Sequence, residues 1–310
     1  KMIAGAMKGF TAEQFTANFN ELMASPTQLL FWTLVCTVII GVIAAKNLNS
    51  GLEKACKFMM PALFIMLITV VIRSVTLPGA AEGIKWYLNV DFSKVTPQTF
   101  LTALGQCFFS VGIASGGAFV YGSYLKKDSN IPEDGLMVVG FDTLAALIAG
   151  FATFPAVFAL GLKPDSGSNL LFVTMSNVFM NMPFGQVFGF MFFLLMFFAA
   201  LSSALGYLEP ISSSFSDMLK LSRAKGTIYA LVSIFVVGLF TIFGLNIMSG
   251  VKVLGKNLFD FADYLSGNIM MPLGAIALIL YVLFVWKFDN FKEDVNAGAK
   301  GLRVPSFFKP

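Results

Sequence analysis

The chain contains no histidine, and that absence excludes more than any other feature of its composition. Imidazole is the commonest metal ligand and general base, so a metalloenzyme or a hydrolase is disfavoured from the outset. The three cysteines, Cys36, Cys56 and Cys107, show neither ligand nor disulfide spacing and read as packing residues. Charge is scarce: 12 % of the 310 residues are Asp, Glu, Lys or Arg, about half the share of a soluble domain. The basic residues flank apolar runs instead of clustering, which argues against a nucleic-acid partner. No nucleophile stands in a pattern with a base, so no enzyme activity is expected, and no organic cofactor is implied.

Present in quantity are apolar residues, 57 % of the chain with 35 phenylalanines, at a mean hydropathy of +0.79. The fold class that follows is an all-α integral membrane protein, since a bilayer-spanning helix needs about 20 apolar residues and the chain offers such runs repeatedly. Seven spans are expected, at residues 28–45, 52–77, 97–125, 135–160, 185–219, 225–243 and 258–286, grouped in one transmembrane domain over 1–310. Short helices are expected near 12–23 and 80–87. A further amphipathic helix at about 169–182 is too short to cross and is placed on an outer loop. Spans alternate sides, so the basic residues can orient the protein. With the tail inside, 13 of the 21 Lys and Arg lie on that side, which makes the tail cytoplasmic and the N-terminal loop external. The chain is expected to be a multi-pass protein of the plasma or inner membrane. It opens on Lys1 and reads as an excerpt from something longer.

The third span is the wrong material for a continuous helix. Residues 95–125 form an uncharged run of 31, but Gly112, Gly116 and Gly117 interrupt it near its centre, with Ser110 and Ser115 among them. Each glycine costs roughly 1 kcal/mol relative to alanine in a helix interior. Backbone released from a helix is tolerated at membrane depth only where it lines a cavity or is buried in protein. A long apolar segment broken by glycine is therefore a pointer to a transport site between two half-helices. The alternative is a whole helix whose small residues admit close neighbours.

Asp142 stands in an otherwise apolar stretch, where a charge costs at least about 2.5–3.5 kcal/mol. It is either functional or a first-turn carboxylate held by the helix dipole. Ser202 and Ser203 follow Ala199-Ala200-Leu201 in a segment with no charge. Two hydroxyls with a backbone carbonyl suit a hard cation such as Na⁺; the alternative is packing with hydroxyls bonded back to their own helix. Glu209 is as readily a buried group with a partner on another helix as a functional one.

The stretch ALGQCFFSVGIASGGAFVYGSY resembles the sixth helix of the neurotransmitter:sodium symporters, bacterial type. FPAVFALGL, LLFVTMSNVF and FFAALSSALGYLEP resemble that family's seventh helix, outer loop helix and eighth helix. LEKACKFMMPALFIMLITVVIRSVTLPGAAEG is similar to its fifth helix and the loop beyond. The resemblance implies the leucine-transporter-like inverted-repeat fold, with the seven spans standing for helices four to ten: the second five-helix repeat plus the last two helices of the first. It implies sodium-coupled symport of an amino acid by alternating access in the full-length parent, with this piece inactive alone. The alternatives are a non-transporting membrane subunit or a channel-like protein, for which no filter motif or charged ring is found. A retinal protein would need a lysine within the last span, where none occurs before Lys287.

Residue by residue, the resemblance implies that Ser110 and Asp142 contribute to one sodium site and Ala199, Ser202 and Ser203 to a second. Phe109, Gly112, Ile113, Ser115 and Tyr207 would line the substrate pocket. Gln106 and Phe109 would belong to an outer gate, with Asp263 pairing an arginine this chain does not contain; Tyr121, Ser123, Tyr124 and Asp217 would form an inner gate. Gly112 and Ser115 stand where the family commonly has Ser and Phe, which opens the pocket toward a larger neutral or aromatic amino acid. Asp142 stands where many members carry Asn, and Ala146 where chloride-dependent members carry Ser. A fixed carboxylate offsets sodium charge as an anion would, so chloride-independent transport is expected.

Overall fold

The structure, a computed structural model, describes residues 10–44, 52–112, 116–162 and 167–306. Apart from a two-stranded hairpin, β1 (Lys252–Val253) with β2 (Lys256–Asn257), its regular elements are helical. In chain order the helices are α1 (Ala12–Ala24), α2 (Pro26–Ala44), α3 (Leu52–Val75), α4 (Ala80–Leu88), α5 (Pro97–Val111) and α6 (Gly117–Ser123). There follow α7 (Ile131–Ala159), α8 (Asn169–Met180), α9 (Gly185–Met218), α10 (Arg223–Gly244), α11 (Leu258–Trp286) and α12 (Phe288–Asn296). Among the described residues six of these, α2, α3, α7, α9, α10 and α11, are long and apolar enough to cross a membrane.

Local sequence explains where several begin. Thr11 starts α1 with a capping box: its hydroxyl accepts from the Gln14 amide, and the Gln14 side chain accepts from the Thr11 amide at 2.8 Å. Thr96 and Thr99 repeat the device ahead of α5, and Pro97 occupies the first turn, where its missing N–H costs nothing. The fourth span begins at Ile131 and not at residue 135 as expected. Pro132, Glu133 and Asp134 suit a helical first turn, the acids facing the positive end of the dipole.

The third span is in two pieces. α5 ends at Gly112, which takes φ 68° and ψ 23° and donates its amide to the Phe108 carbonyl at 3.0 Å. α6 is preceded by Gly116, also left-handed at φ 74°. Glycine occupies such a conformation without the Cβ clash that other residues meet, so the break falls where the sequence permits it. α11 is continuous but holds two π-helical stretches, Leu265–Met270 and Tyr281–Trp286.

The sequence reading treats 1–310 as one domain; packing separates two compact units within it. The first combines residues 1–91 with 146–251. Phe15, Leu67, Val70, Val157, Met175 and Val178 centre one of its apolar cores, and Met59, Leu201, Leu205, Leu208 and Ala230 a second. α4 lies on the second half of α7, with the Trp86 ring 5.0 Å from Phe154 and the Tyr87 hydroxyl donating to the Leu147 carbonyl. The second unit combines residues 92–145 with 252–310. In it α5 packs along α11, and α12 packs against the end of α11, where the Trp286 indole N–H donates to Asp294 at 3.1 Å.

Candidate transport site

In the second unit, the last turn of α5 and the middle of the first half of α7 bring Ser110 to Asp142. The Ser110 hydroxyl lies 2.7 Å from Oδ1 and 2.8 Å from Oδ2, so its single proton is shared between both carboxylate oxygens. That leaves the hydroxyl lone pairs and the outer carboxylate lone pairs for a cation. With α7 starting at Ile131, Asp142 stands three turns in, beyond the reach of the helix N-terminus. The dipole therefore does not account for it.

Gly112 is two residues beyond Ser110, at the point where α5 unwinds. Gln106 and Phe109 are exposed on α5, Phe109 by 51 %. Ile113 and Ser115 lie outside the described residues. On α6 the Tyr121 ring meets that of Tyr124 edge-on at 6.5 Å, and the Ser123 hydroxyl donates to the Val120 carbonyl. Asp263 is exposed on α11, and its carbonyl accepts from Ser266 at 3.1 Å.

In the first unit, Ala199, Ser202, Ser203 and Tyr207 are spaced along one face of α9. The Ser202 hydroxyl donates to the Ala199 carbonyl at 3.0 Å, the back-bonding expected of a serine in an apolar helix. The Ser203 and Tyr207 side chains are exposed. Asp217 is exposed in the last turn of α9.

Glu209 has the partner its burial requires. Its carboxylate is 3 % exposed and receives two bonds from the Arg223 guanidinium, at 2.7 and 2.6 Å. The planar fork of arginine matches a carboxylate in this bidentate manner. Three residues on, Ser212 and Thr227 share a buried hydroxyl–hydroxyl bond at 2.8 Å. Sequence reasoning placed Arg223 among the basic residues flanking a span and did not pair it. The signal was its position at the start of the helix that follows Glu209.

The sodium:neurotransmitter symporter family matches residues 10–310, and the chain belongs to it. An uncharacterized sodium-dependent transporter of Haemophilus influenzae is 39 % identical over 90 % of this chain and 62 % of its own length. The uncharacterized sodium-dependent transporter YhdH of Bacillus subtilis is 36 % identical over 97 % of this chain and 67 % of its own. The crystal structure of MhsT in complex with L-phenylalanine superimposes with a TM-score of 0.86 at 35 % identity, over 95 % of this chain and 67 % of that one. The fold is thus the all-helical membrane fold of that transporter, and the protein is a multi-pass membrane protein. The chain spans about three-fifths to two-thirds of the length of these relatives. The match over residues 10–310 does not by itself assign the spans to helices four to ten, which was the narrower expectation.

Proposed function

We propose that the protein acts as a sodium-coupled symporter of a neutral amino acid, of the larger or aromatic kind, by alternating access. The observation that carries this reading is the Ser110–Asp142 pair, two residues before α5 unwinds at Gly112. A carboxylate at that depth is costly alone, and a bound cation offsets the cost. Hydroxyl and carboxylate oxygens are the ligands a hard monovalent cation takes. Family membership supports sodium as the coupling ion, and the L-phenylalanine held by the solved relative supports a large neutral substrate.

In this reading Ser110 and Asp142 hold one sodium ion, and Ala199 (through its carbonyl), Ser202 and Ser203 hold a second. Phe109, Gly112, Ile113, Ser115 and Tyr207 face the amino acid. Gln106, Phe109 and Asp263 serve the outer gate; Tyr121, Ser123, Tyr124 and Asp217 serve the inner one. The tail is cytoplasmic. Each sodium ion entering with the membrane potential supplies about 2.3 kcal/mol per 100 mV, which drives uptake against a gradient. Asp142 supplies a fixed negative charge beside the ion, so chloride is not required.

The test is binding of radiolabelled amino acids to the purified protein, in sodium or potassium and with or without chloride. Saturable binding of a large neutral amino acid that needs sodium and ignores chloride is the expected result. Binding that requires chloride removes the proposed role of Asp142. No sodium-dependent binding across the panel removes symport of amino acids.

A further inference from the structure

We infer that residues 297–306 form a strap that fastens the loop between α6 and α7 to α12, and that its release frees the inner half of the broken helix. The role in release rests on the transport reading above; the strap itself does not.

The strap is held from two sides. Toward α12, the Asn296 side chain forms a reciprocal pair with Val304, donating to its carbonyl at 3.0 Å and accepting from its amide at 2.8 Å. Lys292 adds a bond to the Ser306 hydroxyl at 2.7 Å. On the other side, the Leu302 amide donates to Glu133 Oε1 in the first turn of α7, just past the loop, at 3.2 Å, joining positions 169 residues apart. Gly298 rests on the chain at Asp128 and Ser129 so closely that a Cβ there would overlap the Ser129 carbonyl oxygen. Gly301 repeats the close approach, with Glu133 Oε1 only 2.6 Å from where its Cβ would stand. Gly298 lets one backbone reach another, a need no side chain can meet, whereas the neighbour of Gly301 is a side-chain carboxylate that can shift.

The gripped loop is short. α6 ends at Ser123 and α7 begins at Ile131, so the strap holds the connection that ties α6 to α7. The clasp also contains its own bias toward opening. Asn130 Oδ1 is buried in this loop with no hydrogen-bond partner among the described residues. A buried acceptor without a donor is penalised, and exposure to water removes the penalty. The engaged strap therefore holds the loop against a tendency to open.

Hydrogen exchange read by mass spectrometry on the full chain in nanodiscs tests this. Glu133→Ala removes the acceptor for the Leu302 amide, and exchange should rise about tenfold, the scale of one hydrogen bond, at Leu302 and at residues 126–130 together. Glu133→Gln retains an acceptor oxygen and should exchange as the unaltered protein does. Gly298→Ala should lift the strap and accelerate both segments. Asn130→Ala, which removes the orphaned oxygen, should slow exchange at 126–130. Acceleration confined to Leu302, with 126–130 unmoved in both Glu133→Ala and Gly298→Ala, overturns the strap. Repeating the comparison in sodium and in potassium separates the two readings. If sodium protects 117–130 in the unaltered protein and not in Gly298→Ala, the strap gates that helix. If sodium has no effect anywhere while Glu133→Ala still opens both segments, the strap stands and the sodium reading falls.

Discussion

The two compact units differ in what their polar and apolar residues are for. Both extended apolar cores belong to the first unit, where Phe15, Leu205 and Met175 are almost wholly enclosed. Its buried ion pair, Glu209–Arg223, is satisfied internally by two bonds. The second unit encloses few large side chains, Phe288 and Val295 on α12 among them, and is built on a helix that stops and restarts. Its carboxylate at depth, Asp142, has a hydroxyl for company and no cation among the described residues. A charge that is fully paired by the fold contributes to architecture, whereas a charge left half-paired is available to a ligand.

Arg223→Ala should break the contrast most forcefully. It leaves the Glu209 carboxylate buried and uncompensated, at a cost of about 3–5 kcal/mol, seen as a large fall in melting temperature in detergent. Glu209→Ala should cost less, because the Arg223 side chain is 32 % exposed and can turn toward water. Phe15→Ala, which empties a core position, should destabilise by about 3–5 kcal/mol on the same assay. Asp142→Asn should do the reverse of these three: melting temperature held or raised, since a costly charge is removed, while sodium affinity in binding assays falls on the order of 100-fold, the scale of a lost charge-assisted interaction. Gly116→Ala should give the smallest change, about 1–2 kcal/mol of left-handed strain at the break, read as a modest loss of stability. If Asp142→Asn melted like Arg223→Ala, the distinction between the units would fail.

The break itself was legible, because glycine in an apolar run is a covalent fact and its backbone freedom is local. Gly112 and Gly116 take left-handed conformations where the sequence reading cut the helix. The beginning of α7 was misplaced by four residues, because Pro132 with two acids resembles a loop until the first-turn preferences of helices are applied. That correction moves Asp142, already singled out, farther from the helix N-terminus. The partner of Glu209 could not be read, since pairing depends on how α9 and α10 turn back on one another. Gly298 looks like any loop glycine in the sequence; its requirement comes from the backbone of Asp128 and Ser129, far earlier in the chain. The π-helical stretches of α11 left no mark in an apolar pattern that fits an α-helix equally well.

Those two stretches bear on how the helix presents its faces. A π turn absorbs one additional residue without ending the helix, so the residues beyond it are rotated by about 100° relative to an unbroken α-helix. Asp263 lies just before the first stretch and the apolar run Met271–Leu280 just after it. Their azimuths are thus set by a one-residue phase slip, not by spacing alone. A deletion of any single residue within Leu265–Met270 would erase that slip and turn Asp263 toward a different compass point, while leaving composition and span length nearly intact. For this helix, register is a heritable variable separate from side-chain identity.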